Sequence, residues 1–219
     1  LNGLIASGVA TLTIVDNDVV SLLAVERVSV ADDGSEANGG SDGLAISADG
    51  NLVAFASSAD NLLANDTNGV ADIFVFNRLT RAVQLASVAT SGVASNGASS
   101  LPAISANGRA VAFVSDASTL VPDDTNGVAD VFVYDLVDLT LERVSVSSAG
   151  IEGNGPVDLS RPAISADGRF VAFASQASNL VGGDTNGISD VLVFDRRNRT
   201  LTAASIDSFG TLIGGTEPR

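Results

Sequence analysis

The tetrapeptide Asp-Thr-Asn-Gly occurs three times in this 219-residue chain, at Asp66–Gly69, Asp124–Gly127 and Asp184–Gly187. The copies begin at 66, 124 and 184, so their spacing is 58 and then 60 residues. Each begins 11 residues after a Phe (Phe55, Phe113, Phe173) and is followed, three residues past its Gly, by another Asp. A fixed period of this length means stacked supersecondary units. No unit buries its own apolar faces, and its neighbours do so for it.

Aligning on the tetrapeptide exposes the rest of the unit. Ala45–Gly50, Ala103–Gly108 and Ala163–Gly168 each read Ala-Ile-Ser-Ala followed by Asp-Gly or Asn-Gly. Such a pair between short apolar runs is a hairpin signal, because both turn positions tolerate positive φ. The sequence predicts a second strand at Leu52–Ser57, Ala110–Ser115 and Phe170–Ser175, and then the long loop that carries the tetrapeptide. A third strand is expected at Asp72–Phe76, Asp130–Tyr134 and Asp190–Phe194. A fourth is expected at Ala82–Val88, Leu141–Ser147 and Leu201–Ile206, with a matching strand at Leu23–Val30 ahead of the first unit. In Val53-Ala54-Phe55-Ala56 large and small residues alternate, whereas Ile73–Phe76 and Val131–Tyr134 are apolar throughout. A strand apolar on both sides belongs to a sheet packed between other sheets. The fold class is therefore all-β: a β-propeller with three four-stranded blades visible, one part of a larger or oligomer-completed ring. A β-solenoid would want shorter, more uniform rungs.

The stretch Pro162–Ser175, PAISADGRFVAFAS, followed by Asp190–Asp195, DVLVFD, resembles the TolB-type, WD-like β-propeller repeat. The resemblance runs over about residues 22–207 and implies the propeller fold without naming a ligand. The loop between the second and third strands is longer here than in that family's usual pattern. Near the N-terminus, residues 9–18 (VATLTIVDND) resemble the last strand and acidic end of a Calx-β domain. This gives an expected division into a Calx-β-like tail or linker strand at 1–18 and a propeller segment at 19–219. A plain strand ending in a polar turn is the alternative for 1–18.

Charge narrows the partners. There are 26 acidic against 11 basic residues, a net charge of −15, and every basic residue is Arg. This argues against nucleic acid and anionic membranes as partners. No apolar run approaches the roughly 20 residues of a membrane helix. Without His or Cys, the chain cannot itself build Ser-His-Asp or Cys-His machinery. The five Glu residues do not recur at one place in all three units, so paired-carboxylate chemistry is not expected and the chain is read as a non-enzyme.

The candidate chemistry lies in the repeated loop. Asp-x-Asn-Gly-x-x-Asp offers oxygens at positions 1, 3 and 7 around a glycine turn, the hard-ligand type that Ca2+ takes. The candidate metal residues are Asp66, Asn68 and Asp72; Asp124, Asn126 and Asp130; and Asp184, Asn186 and Asp190. Asp123 adjoins the second set. An EF-hand is excluded, since position 5 is not acidic and no bidentate Glu stands at 12. The competing reading is a purely structural turn in which Asp and Asn side chains cap nearby amides. Asp49, Asn107 and Asp167 read as turn formers, as do the recurrent Asn38-Gly39, Asn96-Gly97 and Asn154-Gly155. Arg109, Arg169 and the cluster Arg196, Arg197 and Arg199 read as solvated.

Together these features predict a binding or scaffold propeller of an exported bacterial protein: secreted, at the cell surface or periplasmic. It would be stabilised by Ca2+, engage a protein or surface-glycan ligand, and self-associate to complete its ring. The alternative is the accessory propeller of a prolyl oligopeptidase-like hydrolase whose catalytic domain lies elsewhere.

Overall fold

The computed structural model describes residues 25–31, 33–89, 91–92, 95–207 and 210–212. The Calx-β-like segment, with Asp16 and Asp18, lies outside the described residues. Among the described residues twelve strands form three antiparallel four-stranded meanders. The first holds β1 (Ser41–Ile46), β2 (Leu52–Ser57), β3 (Asp72–Asn77) and β4 (Val83–Leu85). The second holds β5 (Ser99–Ile104), β6 (Ala110–Ser115), β7 (Asp130–Asp135) and β8 (Thr140–Arg143). The third holds β9 (Ala163–Ile164), β10 (Phe170–Ser175), β11 (Asp190–Asp195) and β12 (Thr200–Ala203). No helix occurs among the described residues. Three such meanders packed face to face are three blades of a β-propeller.

Each blade has an aromatic face and a small-residue face, because alternate side chains of a strand point to opposite sides. Ala54, Ala56, Ile73 and Val75 of the first blade pack on Val111, Phe113, Phe132 and Tyr134 of the second. Ala110, Ala112, Val114, Val131 and Val133 of the second pack on Val171, Phe173, Leu192 and Phe194 of the third. Phe55 stacks on Phe74 within the first blade and Phe113 on Phe132 within the second, with ring centroids 5.8 and 5.9 Å apart. The first blade's aromatic face is covered in part by Val28, Val30 and Ala37. Among the described residues no blade covers the third blade's small-residue face: Phe170 and Val191 are exposed, while their equivalents Ala110 and Val131 are buried.

The central strands lie where the sequence places them. The fourth strands are shorter than expected, and one serine explains this in each blade. Ser87, Ser145 and Ser205 accept the amide protons of Ile73, Val131 and Val191 through Oγ, at 2.9, 3.0 and 3.1 Å. A side chain thus replaces the next rung of the ladder, and the chain peels away. Of the strand expected at Leu23–Val30, the described part holds only an isolated bridge from Val30 to Glu36. The first strands of blades one and two run directly into the Asp-Gly and Asn-Gly hairpins. They carry an irregularity between Asp42 and Ala45 and between Ser100 and Ala103, where Gly43 and Leu101 have positive φ.

Candidate functional site

The Asp-Thr-Asn-Gly loops run between the second and third strands of each blade. Gly69, Gly127 and Gly187 have φ of 70, 67 and 69°, a left-handed conformation that a side chain would strain. The Asn before each glycine caps the turn. Oδ1 of Asn68, Asn126 and Asn186 accepts the amide two residues on, at 3.1, 3.1 and 3.0 Å. Nδ2 of the same residues donates to Oδ2 of the Asp heading the third strand: Asp72 at 2.6 Å, Asp130 at 3.0 Å and Asp190 at 3.4 Å. Those three aspartates are buried, and Oδ1 of each accepts a hydrogen bond from Ser87, Ser145 or Ser205. Position 7 of the motif therefore ties the loop to the fourth strand. Burial pushes the Asp72 carboxyl above its usual range, opposed by the Ser87, Asn68 and Ser95 hydrogen bonds.

The first Asp of the motif differs between blades. Asp66 is 4% exposed, and neither of its carboxylate oxygens has a hydrogen-bond partner. Burial, and then the charge on Asp72, push its carboxyl up to about 6. Asp184 is also buried, with Oδ1 unpartnered. In the second blade the guanidinium of Arg143 fills the gap. Its Nη1 lies 3.2 Å from Asp124 Oδ1, 3.2 Å from Asp130 Oδ2 and 3.0 Å from Glu152 Oε2. Its Nη2 donates to the Asp123 carbonyl at 3.3 Å. Burial and Asp130 raise the Asp124 carboxyl, and Arg143 pulls it back down. Glu152 is held below its usual range, first by hydrogen bonds from Thr125 and then by Arg143.

The structure thus brings the first and last Asp of the motif within reach of each other's charge in blades one and two, and turns the Asn amide onto the last Asp in all three. It adds Arg143 and Glu152, which sequence reading left out. Strand register was the missing signal: Arg143 pairs with Phe132 as Leu85 pairs with Phe74 and Ala203 with Leu192. Among the described residues no group of three or more His, Cys, Asp or Glu side chains forms a ready cage for a metal ion.

Of the arginines expected in solvent, Arg109, Arg169, Arg196 and Arg199 prove to be paired, although Arg109 and Arg199 stay exposed. Arg109 meets Asp135 at 2.9 Å, and Arg169 meets both oxygens of Asp195 at 2.9 and 2.6 Å. Arg196 donates to Glu142 of the neighbouring blade at 2.5 Å and to the Gly168 carbonyl at 2.7 Å. The correction has a geometric cause. Antiparallel register sets Ala110 opposite Asp135 and Phe170 opposite Asp195, so an Arg one residue before each reaches the carboxylate. These pairs line a shallow depression at the hairpin-turn end of blades two and three. Arg109, Arg169 and Arg196 there already hold carboxylates.

No protein-family model matches the chain, and no curated protein sequence does. Among the described residues no helix is long and apolar enough to cross a membrane. Similar solved structures include TolB from Acinetobacter baumannii, at 19% identity and a TM-score of 0.44, covering 77% of this chain and 32% of that one. A putative TolB from Agrobacterium tumefaciens shares 16% identity at a TM-score of 0.45, over 75% of this chain and 48% of that one. The β-propeller domain of the Trilobed protease from Pyrococcus furiosus shares 15% identity at a TM-score of 0.46, over 76% and 43%. The chain therefore spans less than half the length of each of these solved chains.

Proposed function

We propose that this chain is a non-catalytic binding and scaffolding segment of a β-propeller in an exported or cell-surface bacterial protein, stabilised by calcium at its Asp-Thr-Asn-Gly loops. Its partner is a protein or a surface glycan. The observation that carries the scaffolding reading is the uncovered face of the third blade. Ala172, Ala174, Val191 and Val193 repeat the small-residue pattern that elsewhere receives the aromatic face of the next blade. That face fits one more blade, supplied by a longer parent chain or by a second copy. The charged side chains support the non-catalytic reading, because the last Asp of each motif and most arginines are engaged in holding loops and turns. Net charge and the TolB-type resemblance support an exported setting, where cations are available to an acidic surface.

Light scattering across a concentration series tests the scaffold role. The 219-residue chain is expected to associate at high concentration, and Val191→Asp to abolish this, since a charge there opposes burial. A strictly monomeric chain that also fails to bind an apolar dye at this face would refute it. Measurable hydrolysis of peptide, ester or glycoside substrates by the purified chain would refute the non-catalytic assignment.

A further inference from the structure

The fourth strand decides how each loop neutralises its paired aspartates. At one register position stand Leu85, Arg143 and Ala203 in blades one, two and three. In blade two a guanidinium nitrogen sits 3.2 Å from both carboxylates. Blade one offers the same two aspartates, both buried, with Leu85 where the arginine would begin. Blade three repeats that arrangement with Ala203. Among the described residues no ion pair reaches Asp66 or Asp184, and three of their four carboxylate oxygens lie buried without a partner. A buried carboxylate without a counter-charge is costly and persists where something supplies the charge. The helper acid on Arg143 is absent as well: Glu152 bridges to Val146, and the matching bridge in blade three joins Leu212 to Ile206.

We infer that blades one and three each bind a divalent cation of the calcium class between their paired aspartates, Asp66 with Asp72 and Asp184 with Asp190, and that Arg143 is the built-in substitute for that cation in blade two. The inference rests on the calcium part of the proposed function and narrows it from three loops to two. All-oxygen, carboxylate-rich coordination with room for carbonyls and water suits calcium. Only two carboxylates serve each site, so the remaining ligands are backbone carbonyls and solvent. The Asn side chains stay as turn caps, and their amides orient Asp72 and Asp190.

Titration of calcium chloride into the metal-stripped 219-residue chain, followed by calorimetry and by melting temperature, tests this. The expected stoichiometry is two per chain, with a rise in Tm. Asp66→Asn and Asp184→Asn, near-isosteric changes, should each remove one site. Arg143→Ala should lower Tm without calcium, regain it with calcium and bind a third ion. The absence of heat and of any Tm shift in the wild type would overturn the inference and the calcium reading together. Binding that survives both Asp→Asn variants, or three sites in the wild type, would overturn the assignment to blades one and three while leaving calcium stabilisation standing. A single site lost with Asp66→Asn would keep blade one and strike out blade three.

Discussion

Asp66→Asn should stabilise the metal-free protein at neutral pH, an unusual outcome for a buried side chain. The carboxyl of Asp66 shifts from 3.8 to about 6 on folding, through burial and the nearby Asp72. One pK unit is about 1.4 kcal/mol, so two units make ionisation of Asp66 about 3 kcal/mol less favourable in the folded state than in the unfolded chain. The sign follows from the direction of the shift. Because the folded value is the higher, the folded state holds the proton more tightly. The penalty is absent below about pH 4, grows as pH rises, and is complete above about pH 6. Asparagine removes the charge at nearly constant volume and can donate toward Asp72, so about 1–3 kcal/mol should be regained at pH 7 and little at pH 4. Far-UV circular dichroism suits the assay, since the chain has no Trp and one Tyr. Urea unfolding in metal-free buffer at the two pH values would give both numbers. A variant that is less stable than wild type at pH 7 by the same amount as at pH 4 would rule out a charge penalty at Asp66. It would mean that the Asp66 carboxylate makes stabilising bonds in the metal-free fold.

Other expectations follow from packing, turns and titration. Phe113→Ala removes a fully buried ring from the interface of blades one and two and should cost about 3–5 kcal/mol in urea unfolding. Ser145→Ala leaves the Val131 amide and Asp130 each short of a partner and should cost about 1–3 kcal/mol in the same assay. Gly97→Ala should be strongly destabilising, because its Cβ would fall 2.7 Å from the Ala117 nitrogen, whereas Gly40→Ala meets nothing within 4 Å and should stay within about 0.5 kcal/mol. Asp135 and Asp195 titrate below their ordinary range, with Arg109 and Arg169 among the causes. The stability they confer is present above about pH 4 and should be lost as pH falls below it, visible as acid unfolding.

The architecture was legible because the local signals agree with one another. The Asp-Gly and Asn-Gly hairpins, the Val-Ala-Phe alternation and the doubly apolar third strands all point to blades, and the central strands fall where they were expected. What failed to show was the edge of each sheet. Ser87, Ser145 and Ser205 end the fourth strands through side-chain bonds that no periodicity reveals. The nine loop residues were visible as a motif, and the pairing of the first and last Asp could be guessed from it. Their surroundings could not, because Arg143 comes from the next strand of the blade and its role depends on register. The carboxylate partners of Arg109 and Arg169 were hidden for the same reason: a free arginine and one docked on a third-strand aspartate look alike until the strands are paired.

Crystals grown in calcium, with anomalous scattering collected at long wavelength, bear most directly on the claim that one repeated loop has two modes of charge balance. Anomalous peaks are expected between Asp66 and Asp72 and between Asp184 and Asp190, with the Arg143 guanidinium lying between Asp124 and Asp130. A peak in the second blade, or none in the first and third, would contradict it.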